Sequence, residues 1–178
     1  MIKKIAAVSL LTLTLTGCVS PMAKADPVIT VKHVVNITKN NNFMENVSLM
    51  ANRQKIDKVI SQLRKTVGRT WYVFSGNTPA GWDCSGLTMW TYEQLGITLQ
   101  HRASQQSHAG YQVKTPNIGD IVAFTYRGYN SAYHVGIYIG NGLMIHAPEK
   151  GKSTMIESVT EFAGNYSKIT YRRLINSL

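Results

Sequence analysis

Cys84 stands between Asp83 and Ser85 in the stretch Gly81-Trp82-Asp83-Cys84-Ser85-Gly86-Leu87, and two histidines, His134 and His146, bracket a later apolar segment. A thiol is mostly protonated at neutral pH, and the thiolate is the nucleophile. Placed in the first turn of a helix, a cysteine lies beside unpaired amide donors and the positive end of the helix dipole, which favour the anion. A histidine brought to that sulfur serves as base, and a second histidine able to hold the first completes a nucleophile, base and orienter. The chemistry on offer is that of a cysteine hydrolase.

Everything turns on whether the two histidines share a face. Asn141-Gly142 marks a hairpin turn, and the loop length sets the register. A two-residue loop sets even positions of one strand against odd positions of the other and parts the histidines. A three-residue loop, Gly140-Asn141-Gly142, preserves parity. It collects Val135, Ile137, Ile139, Leu143, Ile145 and Ala147 on one face, and His134, Gly136, Tyr138, Met144 and His146 on the other, polar one. The second register separates apolar from polar far better, with Gly142 in the left-handed bulge position. It brings His134 and His146 within reach of each other.

The elements that must position these residues are legible in part. Ser48 is a cap for a helix whose apolar stripe is Ile56, Val59, Ile60, Leu63 and Val67, ended by Gly68. A second helix begins at Cys84, capped by Asp83 and closed by Gly96. Residues 100–119 read as loop with one helical turn, which leaves His101 and His108 as surface residues. Strands follow over 120–126, 134–139 and 143–147. Helices first and strands after indicate α+β, with helices packed on a central antiparallel sheet.

The chain has 178 residues, room for one domain and a leader, and 44% of them are hydrophobic, which excludes global disorder. A formal net charge of +10 fits an anionic partner, whether nucleic acid, anionic lipid or a cell-wall polymer, and charge alone does not choose among them. Met1-Ile2-Lys3-Lys4 and the apolar run after it form a signal peptide over residues 1–25. Two exits compete: Leu15-Thr16-Gly17-Cys18 resembles a lipoprotein signal with Cys18 as lipidated residue, and Ala23-Lys24-Ala25 fits ordinary cleavage. Either removes Cys18 as a partner for Cys84, so an exported domain would carry one free thiol. Residues 26–48 read as a polar connector, with strand-like composition at 28–31 and 33–35, and residues 49–178 as the catalytic domain.

Five blocks then resemble the NlpC/P60 cysteine peptidases of bacterial cell walls, in the order of that family: residues 72–76, Asp83-Cys84-Ser85-Gly86-Leu87, residues 119–124, His134-Val135-Gly136-Ile137-Tyr138, and His146-Ala147-Pro148. The resemblance implies a papain-like core with Cys84 as nucleophile, His134 as base and His146 as orienting residue. It implies Tyr72 near the nucleophile, Asp83 and Ser85 at the free amino end of a stem peptide, and a further block around Arg102 with no role assigned. It also implies an exported endopeptidase acting on peptidoglycan, at the bond from D-γ-glutamyl to a diamino acid, with no cofactor, metal or nucleic acid. The chain departs from the family at Phe74-Ser75-Gly76, where relatives commonly carry Trp-Gly-Gly. Rival readings are an amidase or acyltransferase on the same fold, a non-catalytic wall-binding module, and a zinc site from Cys84, His134 and His146. Against zinc, hydrolytic sites more often use histidine with carboxylate, and no HExxH pair occurs.

Overall fold

The computed structural model describes residues 31–177, so the proposed signal segment with Cys18 lies outside the described residues. Helix α1 runs over Val31–Arg64. It overruns the connector, and Ser48 sits inside it rather than capping it. The reason is visible in the sequence: no glycine or proline interrupts residues 31–64, and Asn40 to Asn42 weaken a helix without breaking it. Among the described side chains of α1, the distal ones anchor it in the core. Ile56, Val59, Ile60 and Leu63 are buried as their spacing predicts, while Phe43, Met44 and Met50 stay exposed.

A small hairpin, β1 (Asn77–Thr78) with β2 (Gly81–Trp82), leads into α2 (Cys84–Gln94). Then come α3 (Ala103–Gln106), β3 (Tyr111–Val113), β4 (Ile121–Tyr126), β5 (Ala132–Gly140), β6 (Leu143–His146), β7 (Met155–Ser158), α4 (Val159–Ala163) and β8 (Ser167–Arg173). The six longer strands form one antiparallel sheet in the order β3-β8-β4-β5-β6-β7. The expected α+β architecture is therefore present. Strands β3, β7 and β8 and helix α4 are additions to the sequence reading.

The ladder between β5 and β6 keeps the parity expected of it, with Ile137 opposite Ile145 and Tyr138 opposite Met144. The extra residue is absorbed differently. The turn proper is Asn141-Gly142, both at positive φ (54° and 73°), and the register shifts at a bulge between Tyr138 and Gly140. Asn and Gly tolerate the left-handed pair that a tight hairpin needs, and Gly140 at φ 91° carries the bulge instead of Gly142.

Both faces of the central strands β4, β5 and β6 are largely buried. Ile121, Ala123, Val135, Ile137, Ile145 and Ala147 pack with Ile56, Ile60, Leu63, Trp82 and Leu87 from the α1 and α2 side. Val122, Phe124 and Met144 pack with Val159 and Ala163 of α4. The face expected to be polar is thus a second apolar layer with the histidines inside it. The expectation failed because α4, which covers that face with Val159, Phe162 and Ala163, is only five residues long and carries no helical signal of its own.

Helix α2 meets the β1–β2 hairpin at Gly86, where a Cβ would lie 1.9 Å from the carbonyl oxygen of Gly76. Nothing larger than hydrogen fits against that backbone. Gly86→Ala is therefore expected to lower the free energy of unfolding by about 1–3 kcal/mol, as overpacking does, read from urea unfolding curves.

Candidate active site

Asp83 ties the start of α2 to the loops around it. Its backbone is extended (φ −93°, ψ −177°), so its side chain folds back over the first turn as an N-cap. One carboxylate oxygen, Oδ1, accepts from the Gly86 amide at 2.7 Å and the Ser85 hydroxyl at 2.8 Å, and lies 3.0 Å from His101 Nε2. The other, Oδ2, accepts from the Ser75 amide at 3.0 Å. Burial pushes the Asp83 carboxyl upward, but the bonds from Gly86, His101 and Ser85 prevail and hold it below its ordinary value. Asp83 and Ser85 are both buried in this knot. Ser75 sits at φ 58°, a conformation natural to glycine.

The block around Arg102 gains a structural role. Gln106 is buried, and its amide donates to the carbonyls of Ser85 (2.9 Å) and Gln100 (2.8 Å), bracing the same helix start. His101 belongs to the Asp83 knot rather than the open surface, whereas His108 is exposed and bonds locally to the Ser104 carbonyl at 2.8 Å. Nothing in the periodicity of residues 100–119 signals either contact. A histidine and a glutamine in a polar loop look the same whether they face solvent or a buried carboxylate.

Cys84 is free and half-buried at the head of α2. Its sulfur is approached by the backbone N–H groups of Val135, Ser85 and Cys84 itself, all of which favour a thiolate. Burial outweighs them, with Asp83 adding to it, and pushes the thiol up to about 11. This corrects the expectation from the helix start alone: the helix amides act in the expected direction, and desolvation wins.

The Val135 amide directed at the sulfur belongs to the residue after His134, and the His134 ring lines the same cleft as the thiol. His134 Nε2 lies 2.8 Å from His146 Nδ1. The two rings stand almost perpendicular, at 88° with centroids 5.0 Å apart. Phe162 of α4 packs on both, at 4.6 Å and 4.9 Å between centroids. Burial drives His134 down to about 3, helped by His146 and opposed by Asp83. Burial likewise drives His146 down to about 4, with Lys152 adding to the effect. At neutral pH both rings are therefore uncharged. Beyond His146, its Nε2 lies 3.0 Å from Oε2 of Glu157 on β7, a residue the sequence reading did not single out.

A cleft of about 340 Å³ opens over this array, lined by Tyr72, Cys84, Tyr133, His134, Glu149, Lys152, Glu157 and Phe162, among others. Tyr72 enters it half-buried. Its hydroxyl is raised by burial and then by the neighbouring Cys84 and Asp83. Tyr133 reaches it because of a second bulge: Phe124 pairs with His134 and Thr125 with Ala132, which leaves Tyr133 as the extra residue. Two larger hollows, about 530 and 420 Å³, run along α1 and carry neither Cys84 nor a histidine. Of the residues singled out beforehand, Tyr72, Cys84 and His134 share the cleft. His146 stands behind His134, and Asp83 and Ser85 sit beneath Cys84 in the cap. A half-buried thiol beside an uncharged imidazole, itself held from behind, can pass a proton from sulfur to nitrogen as the sulfur attacks a carbonyl.

The model of the NlpC/P60 family matches residues 68–173. The chain is 43% identical over 82 residues to a probable endopeptidase of Mycobacterium tuberculosis, covering 45% of this chain and 20% of that protein. It is 38% identical over 88 residues to a gamma-D-glutamyl-L-lysine dipeptidyl-peptidase of Bacillus cereus, covering 48% of this chain and 26% of that one. The matches thus span between a fifth and about a quarter of those two relatives. Among solved structures, the NlpC/p60 domain of the peptidoglycan hydrolase SagA superposes with a TM-score of 0.56 at 33% identity, covering 65% of this chain and 96% of that domain.

Keeping two buried imidazoles neutral makes stability depend on pH. Above their ordinary value of 6.5, folded and unfolded chains both hold the rings uncharged. As pH falls below that, the unfolded chain takes up protons that the folded one refuses until about 4 for His146 and about 3 for His134. Stability is thus fully present above that ordinary value and is lost as pH falls toward the two depressed ones. Each ring can remove up to about 1.4 kcal/mol per pH unit. Asp83, held below its ordinary value, adds to the loss only at lower pH. Chemical denaturation across this range is expected to show the decline, and His134→Gln to flatten it.

Proposed function

The chain belongs to the NlpC/P60 family, and from that premise we propose that it is an exported thiol hydrolase that cuts the stem peptides of bacterial peptidoglycan. The bond assigned is that from D-γ-glutamyl to the following diamino acid. A gamma-D-glutamyl-L-lysine dipeptidyl-peptidase and a peptidoglycan hydrolase among the relatives support this choice. The observation that carries the reading is the meeting of Cys84, at the head of its helix, with the Val135 amide and the His134–His146 pair over one cleft.

In this reading the resting pair is neutral thiol and neutral imidazole. When a carbonyl carbon comes against the sulfur, the Sγ–H proton passes to His134 Nδ1, and the sulfur forms the new bond to carbon. The oxyanion forms beside the Tyr72 hydroxyl and the amides at the head of α2, which donate to it. The imidazolium returns its proton to the departing amine, and the carbon–nitrogen bond breaks. A water then enters, gives a proton to His134 and attacks the thioester, releasing the acid and restoring the thiol. Asp83 holds the nucleophile's helix and loop in place through the cap.

Export through residues 1–25, ending in a lipidated Cys18 or in cleavage after Ala25, would deliver the domain to the wall. The net charge of +10 favours an anionic polymer there. Cys84→Ala is expected to abolish release of soluble fragments from purified wall, while mass spectrometry of wild-type digests reports a new D-glutamyl γ-carboxyl and a new amine on the diamino acid. Undiminished release by Cys84→Ala would overturn the thiol mechanism, and termini elsewhere would overturn the assigned bond.

A further inference from the structure

A count of protons along the histidine pair gives Glu157 a function. His146 has no solvent exposure. Its Nε2 faces Glu157 Oε2 at 3.0 Å, and its Nδ1 faces His134 Nε2 at 2.8 Å. A carboxylate offers only acceptors, so the nitrogen turned to it must carry hydrogen. A neutral imidazole has one N–H, so Nδ1 of His146 is left as a lone pair and accepts from His134 Nε2–H. The single N–H of His134 is then committed inward, and its Nδ1 is a lone pair. That lone pair is what a base needs at the Cys84 thiol.

We propose that Glu157 is a positioning residue for the Cys84–His134–His146 array, fixing which ring nitrogens carry protons. The inference rests on the reading of Cys84 as nucleophile and His134 as its base. With Glu157 removed, His146 is free to place its proton on Nδ1. It would then point a donor at His134 Nε2–H, and His134 relieves that conflict by moving its own proton to Nδ1. The base now presents N–H to a thiol. The carboxylate also compensates the imidazolium that forms during attack, as the third residue does in serine triads.

The surroundings favour this role over that of an incidental surface charge. Glu157 lies on β7 opposite Met144, with its side chain 34% exposed and turned to the cleft wall. A carboxylate kept for solubility has no cause to reach a fully buried ring, whereas the buried His146 N–H would be costly without an acceptor. The charged group facing this carboxylate from the loop before β7 is Lys152, itself paired with Glu149 at 2.8 Å. From β6 it meets His146, and Phe162 of α4 closes the apolar side of the pair.

The test uses Glu157→Ala and Glu157→Gln in the full chain, because glutamine keeps a carbonyl acceptor for His146 Nε2–H and loses only the charge. Glu157→Ala is expected to lower kcat roughly 10–100-fold with KM little changed, while Glu157→Gln stays within about tenfold of wild type. Nitrogen-15 imidazole NMR should find the Nε2–H form of His146 in wild type and Glu157→Gln and its loss in Glu157→Ala. Equal kcat in wild type and Glu157→Ala, equal losses in both variants, or an unchanged tautomer in Glu157→Ala would each overturn the assignment. The NMR measurement repeated on Cys84→Ala needs no turnover. It reads the role of Glu157 even if the cysteine mechanism fails, and so the two failures are distinguishable.

Discussion

The register of one hairpin decides whether this domain has a site at all. A strand presents alternate residues to opposite faces, so slipping β6 by one position against β5 would turn His146 into the layer under α2 and leave His134 without a partner. The same slip would carry Ile145 and Ala147 out of the α1–α2 core into the α4 layer. The apolar residues on one face therefore lock the histidines on the other. The bulge at Gly140 makes this possible, because it lets a tight Asn141-Gly142 turn coexist with a parity such a turn would otherwise forbid.

Cys84 depends on a second fixed point, the start of α2. Asp83 receives donors from three separate stretches, at Ser75, at Ser85 and Gly86, and at His101, while Gln106 holds the Ser85 carbonyl from below. Gly86 lets the β1–β2 hairpin press directly on the helix backbone. Rigid placement of this kind holds a sulfur that makes few bonds of its own. It also explains why Asp83 and Gly86 belong to the architecture of the site.

The sequence spoke most clearly where short-range rules act. The cap at Asp83, the helix from Cys84, the stripe from Ile56 to Leu63 and the shared face of the two histidines all follow from periodicity or turn chemistry over a few residues. What it hid was long-range or compositionally plain. Strands β7 and β8 are short or polar and acquire their identity from neighbours in the sheet, as edge and mixed strands do. Helix α4 is five residues long, too short to announce itself, yet it turns the expected polar face into a buried layer. Glu157, His101 and Gln106 gain their meaning from partners 11 to 21 residues away. Helix α1 begins well before Ser48 because no helix breaker interrupts residues 31–64, even though the composition near its beginning is strand-like.

Burial explains why the site rests in a neutral state. Desolvation raises the thiol and lowers the imidazoles together, so a lone charge on either is unfavourable. A proton passed directly from sulfur to nitrogen creates both charges at once, a few ångströms apart, and their attraction is strong where water is scarce. The amides of Val135 and of the helix start then favour the sulfur anion, and the acceptor side of His146 favours the cation. Such an arrangement disfavours the thiolate when nothing is bound, and the thiolate is the form that oxidants attack. A half-buried, neutral cysteine is therefore a resting state that withholds the thiolate from oxidants, and the geometry favours charge on sulfur only when a proton can pass to His134 in the same step.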